Sequence, residues 1–358
     1  MPCLQRAAWS KDKMELNKTV TIDVSTAMSL EDIINKIATK KIIYIGEVHD
    51  QYAHHLVQLD IINAIHKKNP RITIAMEMFA RTYQPIIDNY INGEINEKEF
   101  LKESRYFKTW GFNYYLYRDI ILFAKTNNIP IIALNIERAI INKVSKSGLA
   151  SLTDEEKELI PNDLDLSNIE YSKRLKEIFL EHPNKDEKRF DFFFESQILW
   201  DEYMAESISA YIEDYIDRQI IVLAGNGHLE YGSGIPSRVK RLNNINYALI
   251  LNDTSIQRNI ADYVLFPISM DPVEAPKLMV TLTEENGKVK IEKLLSESIF
   301  KKAGIQKGDI ILSIDDTQIN TIDDINVFLF FSKSGDKIKV RIQREKNINI
   351  DILVTLKI

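Results

Sequence analysis

The sequence predicts an α/β fold: a mainly parallel sheet flanked by helices, followed by a small C-terminal β/α domain. Three observations carry that expectation. Over residues 25–270, short β-branched apolar runs alternate with helical stretches, and strands that are apolar along their whole length belong to parallel sheets covered on both faces. At ISMDPVEAP (268–276) two prolines and acidic residues interrupt the pattern and mark a linker. From Val280 onward the chain turns to hairpin logic, with Val280–Thr283 and Val289–Lys293 flanking the turn pair Asn286–Gly287. The length of 358 residues suits two domains.

The elements follow in order. Residues 1–17 lack periodicity, and 1–24 read as a flexible lead. Ser29, Glu31 and Asp32 open a short helix that buries Ile33, Ile34 and Ile37. The strands are Ile42–Ile45, Ile72–Ala75, Ile129–Leu134, Gln219–Ala224 and Tyr247–Leu251. Between the first two lies a helix with two adjoining apolar stripes, Ala53/Val57/Ile61/Ile65 and Leu56/Leu59/Ile62. Residues 113–127 supply another helix, stopped by Asn127–Asn128 and Pro130. Residues 187–217 hold no Gly or Pro and read as one long helix or two with a kink. A linker at 271–277 then leads into a domain over 278–358.

Composition excludes several classes. Net charge is −6, from 46 basic and 52 acidic residues spread evenly, which leaves no nucleic-acid footprint. The single cysteine, Cys3, rules out an intrachain disulfide, a thiolate zinc site and an iron–sulfur cluster. Cys3 is read either as incidental or as a lipid-bearing cysteine whose signal segment is missing. No run approaches the roughly 18–20 apolar residues that span a bilayer.

Polar residues stand where the apolar strands end: Glu47 and His49, Glu77, Asn135, and His228. In open α/β sheets the ligand crevice lies outside the carboxyl ends of the strands, so these residues are expected to meet although the chain separates them widely. Gly46, Gly225 and Gly227 let the backbone turn or approach a ligand closely. Glu47, His49, Glu77 and His228 could ligate a metal or carry acid–base catalysis. The same cluster could equally serve only to bridge strand ends. His54, His55, His66 and His182 are expected at the surface or in helix packing. The segment 106–117 packs seven aromatics into twelve positions, bordered by Arg105, Lys108 and Arg118; aromatic walls and cations suit a flat apolar ligand with acidic groups, and tyrosinate can hold haem iron. In the long helix, Asp201 falls on the apolar stripe Phe194/Ile198/Ala205/Ile208/Ile212, with Gln197 at its margin. A carboxylate there either pairs with a partner such as Arg118 or points into the site.

These residues also carry a resemblance. GEVHD (46–50), AHH (53–55), AMEMF (75–79) with Gln84–Pro85, WGFNYYLYRDII (110–121), IIALN (131–135), QILWDEYMAESI (197–208) and GNGHLEYGSGIP (225–236) together resemble the ChaN haem-binding domain of the Tiki/TraB/erythromycin-esterase superfamily. Residues 289–358, with AGIQKGDIILSI at 303–314, resemble bacterial envelope PDZ domains, although no clear G-L-G-F-like loop precedes the first groove strand. Gly304 and Gly308 would serve turns, Ile305, Ile310, Ile311 and Ile314 the core, and Ile322, Ile325 and Phe328/Leu329 the helix beside a peptide groove.

The resemblance implies a haem-binding protein that assists iron acquisition at the bacterial cell envelope, as a periplasmic or outer-membrane lipoprotein. It implies a possible homodimer and membrane contact only through Cys3. Haem contacts are expected from His49, Glu77, Tyr115, Tyr117, Arg118, Asp201, Tyr203 and His228, with the tyrosines as candidate axial ligands. The relatives also imply an alternative, a hydrolase or peptidase using zinc or manganese at Glu47, His49, Glu77 and His228. A third reading is a non-catalytic scaffold whose PDZ groove binds protein or peptide.

Overall fold

The computed structural model describes residues 21–181, 189–345 and 348–358. The expectations on Cys3, on the 1–17 lead and on His182 fall outside these residues.

The first sheet contains β1 (Ile42–Glu47), β2 (Ile72–Ala80), β3 (Ile131–Asn135), β4 (Gln219–Gly225), β5 (Tyr247–Asn252) and β6 (Tyr263–Leu265). Their spatial order is β3-β2-β4-β1-β5-β6, and every pairing is parallel. Alternation along each strand sends side chains to opposite faces. In β1, Ile43 and Ile45 join one apolar cluster while Ile42 and Tyr44 join another. Helix Tyr52–Lys68 covers the first face, and the long helix Phe190–Asp214 covers the second. Full burial of such side chains stabilises the fold by about 1.5–3 kcal/mol each.

The local signals act as expected. Ser29 and Asp32 form a reciprocal capping box on helix Leu30–Ile37. Of the apolar stripes on helix Tyr52–Lys68, Ala53, Ile61, Ile62 and Ile65 are buried and Leu56, Val57 and Leu59 half-buried, while His54, His55 and Gln58 join the buried face. Of the two places expected for them, the surface or helix packing, His54 and His55 take the buried, packed face of this helix.

The second sheet contains β7 (Val280–Glu285), β8 (Lys288–Leu294), β9 (Ile310–Ile314), β10 (Thr317–Gln318), β11 (Lys337–Arg344) and β12 (Ile348–Thr355). The path β12-β11-β9-β8-β7 is antiparallel, with β10 paired to β9. Asn286 (φ 51°) and Gly287 (φ 69°) turn the first hairpin, the left-handed pair that suits a two-residue connection. Ile305, Ile311 and Ile314 are core residues; Ile310 is half-buried instead. Helix Ile322–Phe330 packs between this sheet and the first domain, where Val327 and Phe330 join the first domain's apolar cluster.

Candidate functional site

Strands β1, β4 and β2 lie side by side and finish at one edge, with Glu47 in register with Gly225. This topology draws His49, Glu77 and His228 together from three distant stretches of chain. A side chain at Gly225 would strike His49, since a Cβ there would sit 2.9 Å from Cε1 of the ring. At Gly46 a Cβ would lie 2.6 Å from Leu251. Both glycines are required by close approach, whereas Gly227 stands in open space.

One half of the site is built on Glu47. Its carboxylate is fully enclosed and accepts from Tyr117 Oη at 2.6 Å and Gln58 Nε2 at 2.8 Å. His49 Nδ1 lies 2.9 Å from Oε1, and His55 Nδ1 lies 3.4 Å from Oε2. Burial alone would raise its pKa, but the imidazoles of His55 and His49 outweigh burial and hold the carboxyl well below the usual range. Burial opposes protonation of His49 as well, yet Glu47 and Glu77 raise its pKa on balance. His54 secures the turn after β1, accepting from Val48 N at 3.0 Å and meeting Asp253 at 2.8 Å.

The other half is built on Asp201, which is fully buried in the long helix. Its Oδ1 holds His228 Nδ1 at 2.7 Å and its Oδ2 accepts from Tyr171 Oη at 2.7 Å. His228 Nε2 faces Glu77 Oε1 at 3.6 Å, and the second oxygen of Glu77 accepts from Gly225 N at 2.8 Å. Burial disfavours the imidazolium, but Glu77 and Asp201 prevail and push its pKa up to about 9. Each histidine thus commits Nδ1 to a carboxylate, the arrangement that fixes tautomer and ring orientation in metal-binding and proton-transferring imidazoles.

A cavity of about 420 Å³ opens beside these groups. His49, Glu77 and Asn135 line it together with Trp110, Phe112 and Trp200. Trp110 and Phe112 pack on the His49 ring at centroid distances of 4.8 and 5.1 Å, and Trp200 packs edge-on to His228 at 5.2 Å. Asn135 accepts from the Trp200 indole and donates to Glu77 O, tying the end of β3 to β2. Arg138, exposed, and Gln197 also line the space.

Several of the residues expected to contact haem lie away from this cavity. The Tyr115 hydroxyl donates to Phe330 O at 3.0 Å, away from the cavity. Tyr117 is enclosed behind Glu47, to which its hydroxyl donates, and its ring meets His55 and Trp110. Arg118 grips Glu97 through two bonds of 2.8 Å rather than pairing with Asp201. Tyr203 lies under the Arg81 guanidinium, 4.0 Å from its ring centroid. None of these four lines the cavity. Among the described residues no group of three or more His, Cys, Asp or Glu is disposed to hold a metal ion. Glu47 is engaged by four side chains, those of His49, His55, Gln58 and Tyr117.

The sequence reading missed His55, Gln58, Tyr171, Trp200 and Arg138. For the first two a signal existed: polar residues at positions 54, 55 and 58 share a helical side with Ile61, Ile62 and Ile65. Tyr171 carried none, because its partner lies thirty residues away.

The sequence matches the family described as haem-binding uptake, Tiki superfamily, ChaN over residues 33–239, and the PDZ domain family over residues 276–354. Among solved structures, the chain is similar to ChaN of Campylobacter jejuni, described with cofacial haem binding. The identity is 22%, covering 66% of this chain and 91% of that one, with a TM-score of 0.54. An erythromycin esterase EreC mutant in its open conformation aligns at 12% identity over 78% of this chain and 85% of that one, TM-score 0.39. The HtrA-type protease AlgW with a decapeptide aligns at 15% identity over 23% of this chain and 29% of that one, TM-score 0.22. No curated protein matches the chain.

Proposed function

Because this chain belongs to the ChaN family of haem-binding uptake proteins in the Tiki superfamily, we propose that it takes haem as cargo into the cavity at the ends of β1, β2 and β4. The observation that carries this reading is a pair of imidazoles, each held through Nδ1 by a buried carboxylate, beside a cavity walled by Trp110, Phe112 and Trp200. Flat aromatic walls suit a porphyrin face, an imidazole Nε2 suits its iron, and exposed Arg138 suits a propionate. The axial contact falls to His49 ahead of the tyrosines, because its ring lines the cavity and theirs do not. Titration of the protein with hemin is expected to give a shifted Soret band saturating at a fixed stoichiometry. No shift at stoichiometric hemin overturns the reading.

The wider role we propose is haem and iron acquisition at the bacterial envelope, supported by a homodimer and a lipid anchor at Cys3. Among the described residues no helix is long and apolar enough to cross a membrane. The PDZ domain would contribute a protein or peptide contact. Its β7 is an edge strand facing helix Ile322–Phe330 across a groove, and sheet edges of this kind take an added ligand strand. The loop 276–279 lines that groove, and Met279 adopts φ 55°, a backbone usually left to glycine.

A second reading, a hydrolase, is favoured by the approach of Glu77 to His228 Nε2. A carboxylate beside a positioned imidazole can move a proton to or from water during ester or amide cleavage. Turnover of a panel of aryl esters and peptides, abolished in Glu77→Gln, would support it. Inert wild-type protein would sink it.

A further inference from the structure

The segment 107–113 belongs to two cavities at once. Thr109, Trp110 and Phe112 line the cavity beside His49, while Phe107 and Asn113 line the groove of about 490 Å³ between β7 and helix Ile322–Phe330. The linker holds this segment at one end and the second domain at the other. Asn113 Nδ2 donates to Val273 O at 3.0 Å, and Phe107 packs on Phe330, itself 3% exposed. Next to Phe107, Lys108 Nζ lies 3.7 Å from Glu284 Oε1, while Glu284 Oε2 accepts from Ile322 N at 3.0 Å. Glu284 stands on β7 and Ile322 opens the helix, so this carboxylate ties together the two walls that an inserted peptide strand must separate.

We infer that 107–113 is a latch, through which occupancy of the PDZ groove and occupancy of the haem cavity oppose each other. A peptide lying along β7 has to displace Phe107 and part Lys108 from Glu284. Phe107 shares the single helical turn Tyr106–Thr109, and Trp110 N closes that turn on Tyr106 O at 2.9 Å. A turn this short moves as a unit. Its boundaries are the left-handed residues Arg105 (φ 51°) and Gly111 (φ 84°), the points where a change of backbone direction is absorbed. Displacing Phe107 therefore carries Trp110 off the His49 ring. Conversely, a ligand resting on Trp110 and Phe112 holds the turn in place and keeps the groove shut. By linkage the two effects on affinity are equal.

The coupling to haem rests on the cavity reading above; the latch itself does not, and the test separates them. Hydrogen exchange is followed on the full chain with and without stoichiometric hemin, and on Phe107→Ala and Lys108→Glu. Hemin is expected to slow exchange on the order of tenfold at 106–113 and also across 280–285 and 322–330. Phe107→Ala should speed exchange of 280–285 and 322–330 without ligand and remove hemin's effect there. Lys108→Glu, an exposed change that spares the core, should do the same more weakly. Hemin protection confined to 106–113 overturns the coupling. Unchanged exchange of 280–285 in both variants overturns the latch. A missing Soret shift removes haem as the ligand and leaves the two variants to decide the latch.

Discussion

The two imidazoles at the head of the parallel sheet are held by the same device but in different surroundings. On the β1 side, Glu47 gathers His49, His55, Gln58 and Tyr117 around one enclosed carboxylate, and the His49 side chain keeps 27% exposure. On the β4 side, Asp201 holds His228 with help from Tyr171, and the His228 side chain is only 10% exposed. The contrast divides the labour. Glu47 is a structural hub that presents an accessible ring, whereas Asp201 and Glu77 clamp a charged ring inside the protein. It follows that disturbing the hub should cost stability first, and disturbing His49 should cost ligand first.

The largest expected effect is at the hub. Glu47→Ala leaves the enclosed His55 and Tyr117 groups, and the half-buried His49 ring, without their acceptor, and breaking a buried pair on one side costs about 3–5 kcal/mol; urea unfolding at pH 7 checks this. Next comes the pH dependence on the β4 side. His228 has its pKa raised from 6.5 to about 9. Its contribution is fully present below the unfolded value near 6.5 and is lost as pH rises through about 9, amounting to about 3 kcal/mol. Glu47 acts in the opposite sense, adding stability above its ordinary value and losing it as pH falls through its depressed pKa. Urea midpoints between pH 6 and 10 should therefore fall on the alkaline side. A flat profile would mean that the Asp201–His228–Glu77 clamp does not operate.

Asp201→Asn sharpens the same contrast with a smaller change. It keeps the shape, weakens the hold on His228 Nδ1 and leaves Tyr171 an acceptor, so a loss of about 1–3 kcal/mol is expected, together with a shallower alkaline fall. The smallest effect on stability belongs to His49→Ala, about 1 kcal/mol or less as for a partly exposed side chain, while hemin affinity drops sharply. Comparable stability losses in His49→Ala and Glu47→Ala would erase the distinction between hub and presented ring.

Much of this arrangement is legible in the residues alone. Unbroken apolar runs such as IIYI at 42–45 and IIVLA at 220–224 leave little choice but buried parallel strands, and polar residues immediately after them have to sit at one edge. The convergence of His49, Glu77 and His228 follows from that topology. The direction of individual side chains does not. Tyr115 and Tyr117 are two residues apart on one helix and therefore point different ways, the first to Phe330 of the second domain and the second to Glu47. Arg118 finds Glu97 rather than Asp201 because the 97–103 helix lies against it, a packing relation absent from local pattern. Hydrophobicity alone does not reveal that His54, His55 and Gln58 of helix Tyr52–Lys68 face inward; the carboxylate at the end of β1 draws the latter two there.

The most direct measurement is the absorption and electron paramagnetic resonance of hemin bound to wild-type protein, His49→Ala and Tyr115→Phe. An imidazole-ligated spectrum that His49→Ala abolishes and Tyr115→Phe leaves intact is the expected result. A tyrosinate spectrum that survives His49→Ala would contradict the account, because the cargo would then lie outside the cavity that the His49 ring lines.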